Sequence, residues 1–170
     1  FKSLNISKDT LSSNQKKDLS NKGFIIIPPT NFMKKNIKLL NIMTKKLIKK
    51  EGKKGGWEGK ERHYKKGKLF EKGTNRLGNL INKHKVFQNL ITMPEILAAT
   101  YEVVKSDIKI AGLNLRNPLK NNGRQKIHMD WKPRKNNFQK YAGVVCFVFI
   151  DSADKTNGAL RIIPGSHKKN

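Results

Sequence analysis

Cysteine is nearly absent from this chain: Cys146 stands alone among 170 residues. One thiol excludes an internal disulfide framework and a zinc site built from several cysteines. It suits a reducing, cytoplasmic setting. Acidic residues are also scarce, 12 against 37 basic ones, which gives a formal charge of +25. Within the basic set arginine is the rarity, limited to Arg62, Arg76, Arg116, Arg124, Arg134 and Arg161. Proteins that read bases and phosphates lean on the planar arginine fork. Lys, Asn and Ile share A/T-rich codons, so the lysine excess reads first as composition, and no specific nucleic-acid partner is expected. What the charge does predict is salt-sensitive, non-specific adhesion to polyanions. The longest apolar run, Val144 to Ile150, is far below the roughly 20 residues a helix needs to span a bilayer, so no membrane span is expected.

What the chain does contain is patterned. Its apolar residues, 36% of the total, fall in periodic clumps, and the length suits one domain with a real core. That domain reads as 1–170, helical over 1–106 and strand-like over 107–170. Phe1 at one end and "GSHKKN" directly after a strand-like run at the other suggest a piece of a longer protein. A short helix is predicted around Ser13, with a cap among Thr10 to Ser13 and a stop at Gly23. "FIIIPP" reads as a short strand. From Thr30 the apolar positions Phe32, Met33, Ile37, Leu40, Met43, Leu47 and Ile48 recur at three- and four-residue steps, as in an amphipathic helix lying on a core. Residues 51–75 lose all period and read as a flexible basic loop carrying Trp57, His63, Tyr64 and Phe70. "TMPEILAATYEVVK" predicts a second long helix, capped by Thr92 and Glu95, with Ile96, Leu97, Thr100, Tyr101 and Val104 as its buried stripe. His84, just upstream, has no evident partner. Strands then follow: residues 108–115 with Gly112 as a bulge, "KIHMDW", "YAGVVCFVFID" apolar on both faces, and "ALRII". Turns are expected at "LKNNGRQ", at Asn157-Gly158 and at Pro164-Gly165. Helices first and antiparallel strands after them make an α+β protein.

The chemistry centres on "GRQKIHMDW". In extended backbone, residues two apart share a face, so His128 and Asp130 project side by side. An imidazole and a carboxylate so placed can reach one cation, and this spacing suits a facial triad of two histidines and one carboxylate. Alone, H-x-D is a weak signal that fits a hydrogen-bonded surface pair just as well.

The wider context is more specific. "GRQKIHMDW", then "VVCFVFIDSADKTNGALRIIPGSHK", together with "GFIIIPP", "RLGNLI" and "MPEIL", resembles the phytanoyl-CoA dioxygenase family of Fe(II)- and 2-oxoglutarate-dependent oxygenases. The resemblance implies a double-stranded β-helix, a jelly-roll-like fold, with the N-terminal helices packed on its sheet. It implies iron held by His128 and Asp130, with 2-oxoglutarate and dioxygen as co-substrates and a small organic or acyl substrate. It also puts Gln125 and Phe147 among pocket or co-substrate contacts. In the family the second metal histidine and an arginine for 2-oxoglutarate follow well after the P-G-S-H turn. Both are therefore expected beyond residue 170, and His167 is not taken as an iron ligand. A chain lacking them would hold half an iron site and turn over little.

Two rivals remain open at this stage. One is a family member, or fragment, that kept the scaffold and lost the chemistry. The other is a basic module that binds polyanions or nucleic acid through residues 49–72. Sequence alone leaves the substrate and the oligomeric state open.

Overall fold

Ser12 and Gln15 open the first helix with a reciprocal cap. The Ser12 hydroxyl accepts from the Gln15 N–H at 3.2 Å, and the Gln15 side chain accepts from the Ser12 N–H at 2.9 Å. Two of the donors that every helix start leaves open are thereby satisfied. In the computed structural model, which describes residues 6–55, 73–130 and 143–168, this helix (α1) covers Ser13–Lys22. It stops at Gly23, whose φ of 83° lies in the left-handed region that glycine enters without steric cost.

Thr30 caps α2, Asn31–Glu51, by accepting from the Met33 N–H at 3.2 Å. The predicted apolar stripe is the face that packs: Met33, Leu40 and Leu47 are buried, with Phe32, Ile37, Met43 and Ile48 against them. Thr44 joins them without leaving a polar atom unpaired, because its hydroxyl donates to the Leu40 carbonyl one turn back. At the far end the Glu51 carboxylate meets Lys83 Nζ at 2.7 Å, both side chains being largely covered.

Thr74–Leu77 (β1) and Leu115–Pro118 (β2) form a two-stranded antiparallel sheet, with Thr74 opposite Pro118 and Leu77 opposite Leu115. Between them lie a 3-10 turn at Leu80–Asn82, then helices α3, Lys85–Ile91, and α4, Pro94–Val104. The core forms where these elements meet α2: Leu40, Leu77 and Phe87 are essentially fully buried. Each such side chain stabilises the fold by about 1.5–3 kcal/mol relative to exposure.

The architecture is α+β, as expected, but no double-stranded β-helix is present among the described residues. The expected strand at 24–29 joins no ladder, since Pro28 and Pro29 offer no N–H to a neighbour. In the segment 108–115 only Leu115 pairs among the described residues, and Gly112 lies outside the ladder before β2 rather than at a bulge. Its partner β1 begins at Thr74, inside the stretch predicted as loop. Thr92 does not cap α4: its hydroxyl donates to the Asn89 carbonyl at the end of α3, and Met93 takes the N-cap position. On α4 the buried residue is Ala99, while Tyr101 is exposed.

The segment 143–150 was expected to be apolar on both faces and buried. It joins no ladder among the described residues, and only Val148 and Ile150 pack on the core, leaving Val145, Phe147 and Phe149 outside. Leu160, Ile162 and Ile163 are likewise exposed, and they pair with no strand among the described residues. A strand buried on both sides needs a second layer over it, and among the described residues nothing covers that face. The three turns do form. Asn122 N–H reaches the Leu119 carbonyl, Ala159 N–H reaches Asp154, and Gly158 and Gly165 adopt φ of 95° and 75°. Trp57, His63, Tyr64, Phe70 and the polar crossing at 132–140 lie outside the described residues.

Candidate metal-binding pair

The small sheet carries the chain to the pair His128–Asp130. Beyond Pro118 the backbone turns through Asn121, at φ 58°, and Gly123, at φ 71°. The turn is held from two sides. The Leu119 N–H donates to the Gly73 carbonyl at 3.0 Å, and the Arg116 guanidinium on β2 donates to the Gly123 carbonyl. Gly123 has no room for a side chain, because a β-carbon there would lie 2.9 Å from both Pro118 and the Thr74 hydroxyl. Residues 124–130 leave this anchored turn.

That exit segment was expected as a strand, and it pairs with nothing among the described residues. The side-by-side projection of the two residues nevertheless holds: His128 Nε2 lies 3.6 Å from Asp130 Oδ1, with both side chains about half exposed. The other ring nitrogen, Nδ1, is 2.7 Å from the Lys126 carbonyl. A carbonyl can only accept, so Nδ1 carries the proton. Nε2 faces the carboxylate, as a donor when the ring is protonated and as a lone pair open to a cation when it is neutral. Metal-bound histidines are held in this way, with the far nitrogen tied to a backbone oxygen and the near one free to coordinate.

The donor set therefore fits a divalent metal. Cis ligands at metal distances of about 2.1 Å sit about 3 Å apart, so a small side-chain adjustment would close the observed gap. No third His, Cys, Asp or Glu joins the pair among the described residues. Gln125 is exposed and makes no side-chain hydrogen bond there, and Phe147 is 56% exposed on the open side of its segment. Neither is brought to the pair by any described contact.

Three residues near this framework gave no usable signal in the sequence. His84 caps α3, its Nδ1 accepting from the Val86 N–H at 3.1 Å while the ring meets Phe87 edge-on. Histidine is outside the usual capping set, which hides the role. Arg116 looks like any outward strand residue. His167 sits on the end of α1, a contact no local pattern announces.

The family model described as phytanoyl-CoA dioxygenase matches residues 43–170, from the middle of α2 through the sheet and the His128–Asp130 pair. No curated protein and no solved structure matches the chain. The family match spans well over half of the sequence, and the protein belongs to the phytanoyl-CoA dioxygenase family, an oxygenase family whose members typically use Fe(II) and 2-oxoglutarate.

Proposed function

We propose that this protein is an Fe(II)- and 2-oxoglutarate-dependent dioxygenase that hydroxylates a C–H bond of a small organic or acyl substrate. His128 and Asp130 are assigned as two of the protein ligands to iron. The overall change is balanced: substrate, 2-oxoglutarate and dioxygen give hydroxylated substrate, succinate and carbon dioxide. One observation carries the assignment. An imidazole whose Nδ1 is committed to the Lys126 carbonyl faces a carboxylate across 3.6 Å, inside the span that matches the family.

Bound Fe(II) supplies open coordination positions for the keto acid and for oxygen. The chain's own contribution is orientation. The Lys126 carbonyl fixes the His128 tautomer, the anchored Gly123 turn fixes where the segment emerges, and Asp130 supplies the negative charge that balances the cation. Gln125 and Phe147 are proposed to contact the co-substrate or line the pocket. The segments 124–130, 143–150 and 159–163 are read as strands of a double-stranded β-helix, the second apolar on both faces as a strand covered on both sides would be. The face left open by Val145, Phe147 and Phe149 supports that reading.

Anaerobic addition of Fe(II) and 2-oxoglutarate to the full-length protein tests the proposal. The expected result is a metal-to-ligand charge-transfer band that His128→Ala abolishes. Absence of the band in the unaltered protein overturns the assignment and favours a member of the family that lacks the chemistry.

A further inference from the structure

We propose that the outer face of α2 docks on the surface of an anionic phospholipid membrane. This surface is separate from the His128–Asp130 pair and does not depend on the oxygenase assignment. Across its 21 residues α2 carries seven lysines, all of them exposed, and a single carboxylate. That carboxylate, Glu51, is taken up by Lys83 at 2.7 Å. The seven lysines form no ion pair among the described residues, whose carboxylates therefore leave the charge of this face unbalanced along a rod about 30 Å long. Leu40 and Leu47 point the opposite way, into the core.

The arrangement within the face selects the partner. Ile42 is 61% exposed and Leu39 is 39% exposed. At helical spacing they sit in the middle of the cationic face, bracketed by Lys35, Lys38, Lys46 and Lys49. An aliphatic pair ringed by flexible amines suits a headgroup layer. The lysine stems can lie along the interface while their amines reach phosphate and carboxylate groups, and the two aliphatic chains enter the acyl boundary. A nucleic-acid groove would instead favour arginine forks and stacking aromatics, and this face has neither. α2 is not apolar enough to cross a bilayer; the proposal concerns lying on one.

The test is flotation of the whole chain with vesicles of phosphatidylcholine alone and of equal parts phosphatidylcholine and phosphatidylserine. Binding is expected to the second vesicle only. Replacing Lys35, Lys38, Lys46 and Lys49 by Gln is expected to weaken it on the order of 1000-fold, from the attraction contributed by each lysine near an anionic surface. Replacing the exposed Lys17, Lys109, Lys120 and Lys155 by Gln removes equal charge elsewhere and is expected to weaken it far less. Ile42→Ser is expected to weaken vesicle binding several-fold while leaving adhesion to a DNA duplex unchanged. Circular dichroism confirms that each surface variant keeps its helices. Equal loss in the two lysine sets makes the attraction a property of overall charge and overturns the proposal. So does indifference to Ile42→Ser, or lysine-dependent binding to the duplex with none to either vesicle.

Discussion

The imidazole of His167 occupies the space that a side chain on Gly23 would need, since a β-carbon built there overlaps the ring. His167 Nε2 also lies 3.1 Å from the Ser20 carbonyl, and the Gly165 N–H donates to the Lys22 carbonyl at 2.8 Å. The P-G-S-H turn thus closes the end of α1, satisfying carbonyls that a helix terminus leaves open. Gly23→Ala is expected to cost about 1–2 kcal/mol from the left-handed backbone alone, with an added steric part. The steric part should vanish in a His167→Ala background. Urea denaturation of the two single variants and the double variant measures it; strictly additive losses would show that the ring and Gly23 do not interact.

His84 is a structural residue on this account, and its replacement separates it from metal chemistry. His84→Ala is expected to lower stability by about 1 kcal/mol, the usual loss on deleting a helix cap. His84→Asn, which can accept from the same N–H, should restore most of that. Neither variant should alter Fe(II) affinity. A matched loss of metal binding in a titration of both variants would place His84 in the metal site instead.

Asp154 ties its own loop, accepting from the Thr156 N–H at 2.7 Å and the Thr156 hydroxyl at 2.6 Å. The Thr156 side chain, then the Thr156 backbone N–H, hold the carboxyl below its usual value. A carboxyl depressed in the folded state adds stability that is present above its unfolded pKa and lost as pH falls through the folded one. The protection factor of the Thr156 amide, its slowing relative to a free peptide at the same pH, should therefore hold near neutrality and fall only in the acid range below the ordinary carboxylate value. Protection unchanged down to strongly acidic pH would count against it.

Cys146 is exposed by surface area, yet burial of its thiol pushes the pKa up, an effect only partly offset by a hydrogen bond with Thr100. The thiolate is the reactive form. Alkylation by iodoacetamide should therefore run slower at neutral pH than for an unhindered peptide thiol, and the gap should close as pH rises. Thr100→Val removes the offsetting bond and should slow it further. A rate equal to that of the free peptide would mean that exposure governs.

What the sequence made legible was whatever depends on near neighbours. The cap at Ser12, within the expected range Thr10 to Ser13, the Gly23 stop and the α2 stripe each involve residues within a few positions, and all stand as expected. His128 and Asp130 lie side by side even though the predicted strand pairs with nothing described and the chain bends at Ile127 and Asp130. Ladder membership was not legible, because pairing is decided by a partner elsewhere in the chain. Leu77 found Leu115 across 38 positions, whereas the more apolar Val144–Ile150 found no described partner. Thr92 shows the same limit at short range: its spacing to Glu95 fits a cap, but α3 ends where Thr92 stands and claims its hydroxyl. Gln125 and Phe147 rest on resemblance alone, and their described surroundings add nothing to it.

The central claim is that His128 and Asp130 share one divalent cation, and Mn(II) tests it without oxygen chemistry. Electron paramagnetic resonance of Mn(II) titrated into the full-length protein, with and without 2-oxoglutarate, reads the free ion directly. Pulsed measurements then read imidazole nitrogen bound to the metal. The account predicts loss of the free-ion signal and a nitrogen coupling in the unaltered protein, with both effects abolished by His128→Ala and binding sharply weakened by Asp130→Asn. Mn(II) held equally well by His128→Ala, with the nitrogen coupling unchanged, would contradict it.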